Sequence, residues 1–168
     1  QQELAQSSLL DRAANVAKLD DTYEIAFTKE DRTSDRFNYS GNNEQISRVP
    51  EVLKMTSPGK DAWSQVTLNA KCVIRGDFDI TAAFRDLKLE PPGAAFRAMG
   101  ALHLSIADSP GEAIRTGRTI DGENKQTVDG LYSYRLPNDQ AKYLADHLPS
   151  TSTAGTFRIV RKGSVVHF

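Results

Sequence analysis

Two aspartates raise the question of catalysis, because they stand at alternate positions of a stretch that reads as a β-strand. Asp77 and Asp79 fall on one face of that strand, which puts them roughly 6.5–7 Å apart by strand rise. Paired carboxylates at a separation of this order hydrolyse glycosidic bonds. A structural alternative is that Asp77 caps the turn at Gly76, while Asp79 pairs with Lys71 on a neighbouring strand. We expect the structural roles and assign no catalytic residue.

A second group of side chains suits ligand binding. Tyr132 and Tyr134 share one face of a predicted strand that also contains Arg135, and two arginines and a histidine on other predicted strands accompany them. Aromatic faces stack on sugar rings, and the guanidinium fork holds hydroxyls or carboxylates. One alternative stays open, namely that the two tyrosines belong to the core face of their strand. The predicted binding residues are His103, Arg115, Arg118, Tyr132 and Tyr134.

Metal and redox chemistry have little support in the residue pattern. His103 has no second His or Cys at metal-ligand spacing, so we expect no zinc and name no cofactor. Calcium stays open, because it accepts oxygen ligands from scattered loops. The single cysteine, Cys72, excludes an internal disulfide and is interpreted as a small core residue. The loop acids that calcium would need are Asp108, Asp121, Glu123 and Asp129, for which solvation is the preferred interpretation.

Composition sets the broad class of the protein. The chain has 168 residues, of which 39% are hydrophobic and 26% charged, values typical of a soluble globular protein. A net charge of −1 does not favour a nucleic-acid partner, which usually requires a basic patch. No apolar run approaches the roughly 20 residues that span a bilayer, so membrane insertion is not expected. We predict a helical linker or docking segment over 1–20 and a β-sandwich domain over 21–168.

The elements that must position these residues are strands, because hydrophobicity repeats with a period of two. From 66 to 84 the even positions are mostly apolar and the odd positions mostly polar, the pattern of half-buried strands. Gly76 interrupts the pattern and can adopt positive φ. We therefore predict strands at 66–74 and 78–84 joined in a hairpin. The alternative left open is that the two strands lie in different sheets.

The rest of the chain also consists mainly of short predicted strands. Strands do not alternate with long helices, so a parallel βαβ sheet is not expected. Short strands separated by Gly and Pro turns predict an all-β, antiparallel jelly-roll β-sandwich with a short N-terminal helix. Further strands are predicted at 22–28, 37–39, 52–55, 100–107, 113–119 and 131–136, helices at 3–18 and 139–147, and a hairpin over 156–168 that turns at Lys162 and Gly163.

Several of these runs resemble a known architecture. Trp63 precedes a strand, the run 75–80 leads into a strand that ends at 84–87, and the runs 102–106 and 155–164 follow. Over roughly 60–168 this order resembles concanavalin A-like and laminin G-like jelly rolls, and is similar to uncharacterised bacterial domains of that architecture in large, often exported proteins. The resemblance implies a concave face that takes carbohydrate or protein ligands, and a location outside the cell or in its envelope. It also implies further strands after the apolar run at Phe168, so we expect a domain truncated at its C-terminal end.

The resemblance also bears on catalysis. Jelly-roll glucanases carry Glu, Asp and Glu at alternate or near-alternate positions of one strand, whereas the four residues after Asp79 contain no acid. The leading hypothesis is therefore a non-catalytic module of a larger exported protein, binding a carbohydrate or protein partner. A glycoside-active enzyme and a purely structural spacer are the alternatives. The sequence favours a non-enzymatic role without deciding it.

Overall fold

The computed structural model describes residues 24–25, 27, 36–40, 45–49, 52–56, 65–93, 97–106, 109 and 111–168. The predicted helix at 3–18, most of the predicted strand at 22–28, and Trp63 lie outside these residues. The described residues contain eleven strands: β1 (Phe37–Ser40), β2 (Ile46–Val49), β3 (Val52–Met55), β4 (Thr67–Ala70), β5 (Phe78–Phe84), β6 (Arg97–Ser105), β7 (Ala113–Asp121), β8 (Gln126–Arg135), β9 (Ala141–Pro149), β10 (Gly155–Lys162) and β11 (Val165–His167).

The chain divides into two compact units, the first comprising Gln1–Pro58 and Gln65–Arg75 and the second Gly59–Ser64 and Gly76–Phe168. In the first unit, β1 pairs with β4 and β2 pairs with β3, both antiparallel. Phe37 of β1 is 7% exposed and stacks on Phe27, with ring centroids 5.9 Å apart. The strands predicted at 37–39 and 52–55 are confirmed as β1 and β3.

The second unit contains a four-stranded sheet in the order β6-β7-β8-β9 and a three-stranded sheet in the order β11-β10-β5. All pairings are antiparallel, which confirms the predicted all-β, antiparallel class. The predicted hairpin over 156–168 is confirmed as β10 and β11, with Gly163 at a φ of 58° in the turn. The jelly-roll architecture and the division at residue 20 stay predictions.

The register of the four-stranded sheet assigns each residue to a face. Directly paired residues share a face, and every pair in β6–β9 joins two odd or two even numbers, as in His103 with Arg115 and Arg115 with Leu131. Even-numbered residues therefore form one face, here called the covered face. Odd-numbered residues form the other, here called the cavity face.

The covered face packs against the three-stranded sheet, and β10 lies next to β7 and β6. Ile159 of β10 is fully buried, and Ile120 of β7 is 3% exposed. Glycines make room for larger side chains on this face: a Cβ on Gly100 would lie 2.9 Å from Leu87, and a Cβ on Gly130 would lie 2.7 Å from the Phe168 ring. The core of the second unit therefore lies where the covered face meets the three-stranded sheet.

The predicted hairpin at Gly76 is wrong, and the alternative of two sheets is correct. Gly76 has the expected positive φ of 71°, but β4 pairs with β1 and β5 pairs with β10. The predicted Lys71–Asp79 pair is replaced by Asp79 with Arg158. Cys72 is exposed and outside any strand, which corrects its predicted place in the core. The alternation of apolar and polar residues indicates that each strand has one buried face, but it does not indicate which strand is the hydrogen-bonded neighbour.

The predicted helix at 139–147 is also wrong, because this stretch forms β9. All nine residues of β9 are exposed, since β9 is the edge of its sheet. An edge strand that is exposed on both faces has no apolar alternation to reveal it, and its Ala, Lys and Leu residues favour helix locally. Asp139, at a φ of 63°, closes the turn that pairs the segment with β8 instead. Among the described residues, no helix has the length and apolar character needed to cross a membrane.

Candidate functional site

The structure divides the five predicted binding residues between the two faces of the four-stranded sheet. His103 of β6 and Arg115 of β7 are direct cross-strand partners on the cavity face. The other three, Arg118, Tyr132 and Tyr134, have even numbers and lie on the covered face. Arg115 and Arg118 are three positions apart on one strand, so their side chains must point to opposite sides of the sheet.

A cavity of about 360 Å³ opens on the cavity face beside His103 and Arg115. The short side chains of Ala113 and Ser133 help to leave this space open. The volume is at the lower end of the range of small-ligand pockets. The cavity is lined by Arg97, His103, Ser105, Ile106, Gly111, Glu112, Ala113, Arg115, Leu131, Ser133 and Tyr143.

Arg115 is the most unusual group in this cavity. Its Nε and Nη2 atoms are buried and have no hydrogen-bond partner among the residues that the structure describes, a situation that costs free energy in a folded protein. Burial and the charge of Arg97 lower the pKa of Arg115, and the charge of Asp129 raises it. The guanidinium nevertheless stays protonated near neutral pH. The cavity therefore holds a permanently charged guanidinium, and two of its nitrogens have no acceptor within the described part of the chain.

His103 lies beside this charge on β6. Burial lowers the pKa of His103, and the neighbouring charge of Arg115 lowers it further. Because the ordinary histidine value is about 6.5, the imidazole is mainly neutral at pH 7. At that pH His103 can both donate and accept a hydrogen bond at the edge of the cavity.

Next to the cavity, Asp129 forms the centre of a buried polar cluster. Asp129 is 2% exposed, and its carboxylate accepts hydrogen bonds from Thr119 Oγ1 at 2.6 Å and Thr127 Oγ1 at 2.7 Å. The Nδ1 atom of His147 lies 3.1 Å from Asp129 Oδ1. Burial raises the pKa of Asp129, but the three hydrogen bonds together lower it below the ordinary value. Asp129 is therefore a buried, ionised carboxylate.

Sequence reasoning missed this cluster. The sequence pattern suggests Asp129 only as a loop acid that could bind calcium, and it predicts a helix at 139–147 where His147 lies on β9. One signal was available, because Thr127 and Asp129 are two residues apart and share a face in any strand. The contribution of Thr119 and His147 depends on the pairing of β8 with both its neighbours, which periodicity does not reveal.

Arg118 has a structural role on the covered face. It is 3% exposed, and its Nη1 donates to the carbonyl oxygen of Ser152 in the loop before β10. Its Nη2 donates to Gln126 Oε1 at 2.5 Å. These bonds connect the loop to β7 and β8, so both Nη atoms of Arg118 bind groups of the protein itself.

The two tyrosines also contact other protein groups. Their rings stack with centroids 5.4 Å apart and an interplanar angle of 17°. The hydroxyl of Tyr132 donates to Glu112 Oε2 at 3.2 Å. Burial raises the pKa of Tyr132, and the hydrogen bond with Glu112 adds to this effect. Tyr132 and Tyr134 thus lie together, but on the face opposite to His103 and Arg115.

The aspartates considered for catalysis are each held by a separate group. Asp77 Oδ1 accepts a hydrogen bond from the backbone N–H of Gly163 at 2.7 Å. Arg158 binds Asp79 through one edge of its guanidinium, with Nε donating to Oδ1 at 2.9 Å and Nη2 donating to Oδ2 at 2.5 Å. The bond with Arg158 is the main cause that lowers the pKa of Asp79. An ionised Asp79 cannot serve as the general acid of glycoside hydrolysis.

The acids considered for calcium occupy different settings. Asp108 lies outside the described residues, and Asp129 is the buried centre of the cluster above. Asp121 caps its own turn, since Oδ1 accepts the backbone N–H of Glu123 and of Lys125, each at 2.9 Å. Within the described ranges, no three or more His, Cys, Asp or Glu side chains are grouped so that they could hold a metal ion.

Comparison with known proteins identifies a family over the full length of the chain. The family model described as "Protein of unknown function (DUF1583) C domain" matches residues 1–168. No curated protein matches the chain, and no solved structure matches it.

Proposed function

The chain belongs to the DUF1583 C domain family, and we propose that it is a non-catalytic module that binds a carbohydrate ligand in the cavity beside Arg115. The observation that carries this proposal is the pair of buried, unpartnered donors on Arg115. Among the described residues, Arg118, the structural arginine of the covered face, has partners for both its Nη atoms and lacks one only at Nε, whereas Arg115 lacks partners at two adjacent nitrogens. A ligand oxygen would supply the missing acceptor.

The lining of the cavity suits a sugar. Carbohydrates present hydroxyls for polar contacts and flat C–H surfaces for apolar ones, and sugar sites combine arginines with aromatic rings. His103 and Arg115 supply the polar contacts, while Leu131 and Tyr143 supply apolar surface. Tyr143 is 65% exposed, so its ring is available at the rim.

The finer architecture is part of the same proposal. We infer that the two sheets of the second unit form a jelly-roll sandwich, as the resemblance to concanavalin A-like domains implies. The packing of Leu87 on Gly100 and of Phe168 on Gly130 supports this inference, because it brings the sheets together through their apolar faces. By the same resemblance, the module belongs to an exported or cell-envelope protein.

Binding to a set of soluble polysaccharides tests the proposed function. The chain is titrated against neutral and acidic polysaccharides, with Arg115→Ala as the site variant and Arg158→Ala as the control. Arg158 is a matched control because its fork is already occupied by Asp79 on the other sheet. We expect at least one polysaccharide to bind the native chain and the control, and to bind Arg115→Ala at least tenfold more weakly.

The same titration distinguishes the alternatives. Release of new reducing ends from a bound polysaccharide would contradict a non-catalytic role and indicate a glycoside-active enzyme. Absence of binding by every polysaccharide would contradict the proposal in favour of a spacer or a protein-binding module. Circular dichroism of both variants shows whether each retains the native fold.

A further inference from the structure

The two unpartnered atoms of Arg115 define the chemistry of the ligand more narrowly. Nε and Nη2 lie on the same edge of the guanidinium, and their N–H bonds are spaced to meet the two oxygens of one carboxylate. Arg158 shows this use in the same molecule, since its Nε and Nη2 bind the two oxygens of Asp79 at 2.9 and 2.5 Å. Arg115 has the same edge unused.

Two arginines and two carboxylates surround the cavity, and the acceptors of both carboxylates are already in use. Arg97 and Arg115 both line it and lie close enough for Arg97 to lower the pKa of Arg115. The negative charge of Asp129 partly balances the charge of Arg115, but the Asp129 carboxylate already accepts three hydrogen bonds. Glu112 also lines the cavity, where Tyr132 donates to its carboxylate. A ligand carboxylate would therefore add an acceptor to a site with unused donors.

We propose that the ligand is an acidic polysaccharide, and that the carboxylate of one hexuronic acid residue pairs with the Nε–Nη2 edge of Arg115. This inference rests on the proposed function and names the class of carbohydrate. A volume of about 360 Å³ accommodates one such residue, while the exposed ring of Tyr143 provides a stacking surface beside it. Because Nε and Nη2 have almost no accessible surface, this pairing requires the guanidinium to rotate toward the cavity.

Oligogalacturonate and its methyl ester test the assignment as a matched pair, because esterification removes the charge and keeps the sugar ring. Oligoglucuronate and oligomers of mannuronic and guluronic acid extend the test to the other common uronic acids. Calorimetric titration of the full 168-residue chain is expected to show binding by at least one free acid. Its methyl ester is expected to bind at least tenfold more weakly.

Variants locate the contact. Arg115→Lys keeps the positive charge and removes the fork, so we expect roughly tenfold to hundredfold weaker binding of the free acid. The control Arg158→Lys removes a fork on the other sheet and should leave binding unchanged. Thermal melts of both variants show whether folding is retained. Equal binding by native chain and Arg115→Lys would overturn the fork assignment.

The possible results separate this inference from the function on which it rests. Equal binding of acid and ester, or binding of neutral glycans alone, would overturn the carboxylate assignment and leave a carbohydrate-binding module. Binding of polyglutamate without any glycan would overturn both proposals and indicate an acidic protein partner. If no glycan of either kind binds, both proposals are wrong.

Discussion

The Nδ1 atom of His147 lies 3.1 Å from Oδ1 of Asp129, and these two residues are direct partners across β8 and β9. Asp129 is almost fully buried, whereas the His147 side chain is half exposed. The pair therefore connects an internal carboxylate to the surface of an edge strand. Since Thr119 and Thr127 hold the same carboxylate from β7 and β8, Asp129 links three strands of the sheet.

Replacement of Asp129 is expected to destabilise the protein strongly. In Asp129→Ala the hydroxyls of Thr119 and Thr127 lose their acceptor while remaining largely buried, which we expect to cost about 3 kcal/mol. Urea denaturation measures the change in the free energy of unfolding. Asp146→Asn is the control, because Asp146 lies on the neighbouring strand and is exposed; its effect should stay within about 0.5 kcal/mol. Equal effects of the two changes would contradict the role of Asp129.

Asp129 should also make the free energy of unfolding depend on pH in the acidic range. Its folded-state pKa is lowered relative to an unfolded value of about 3.9. Ionised Asp129 therefore stabilises the fold above that pH, and this contribution is lost as the pH falls through the folded-state value. Urea denaturation between about pH 2.5 and pH 6 should show a shallower decline for Asp129→Asn than for the native chain. Asp79, whose pKa Arg158 lowers, contributes to the slope that remains, and an unchanged slope would contradict the prediction.

Arg115 and Arg118 are expected to respond in opposite ways to the same substitution. Arg118→Met removes the donors to Ser152 and Gln126 and should destabilise the fold by about 2 kcal/mol. Arg115→Met removes donors that have no partner, so stability should be unchanged or increase by about 1 kcal/mol. Thermal melts of the two variants measure the contrast. Strong destabilisation by Arg115→Met would show that Arg115 is structural.

The contact of Phe168 with Gly130 gives a test of how the sheets pack. A Cβ on Gly130 would lie 2.7 Å from Cδ2 of Phe168, so Gly130→Ala should destabilise the second unit by about 1–3 kcal/mol. Gly122→Ala is the control, since a Cβ there meets nothing within 4 Å. In a Phe168→Ala background the cost of Gly130→Ala should largely disappear, as measured by a double-mutant cycle. Additive effects would contradict a direct contact.

The sequence by itself determined the class of the fold and the faces of single strands. Alternation with a period of two placed β5 and β6, because a strand with one buried face records that burial in its own residues. Short apolar runs between turn signals placed β1, β3, β7 and the β10–β11 hairpin. The same alternation of odd and even positions placed His103 on the polar face of β6. It could also have separated Arg115 from Arg118, since residues three positions apart on a strand cannot share a face.

Only the tertiary structure decided which strands are neighbours. The partners of β4 and β5, the strand state of β9 and the cluster around Asp129 all depend on contacts between segments far apart in sequence. The energies that select these pairings arise from packing and hydrogen bonds between strands, so they leave no local pattern. For the same reason, the unpartnered edge of Arg115 is recognisable only from the positions of the described acceptors around it.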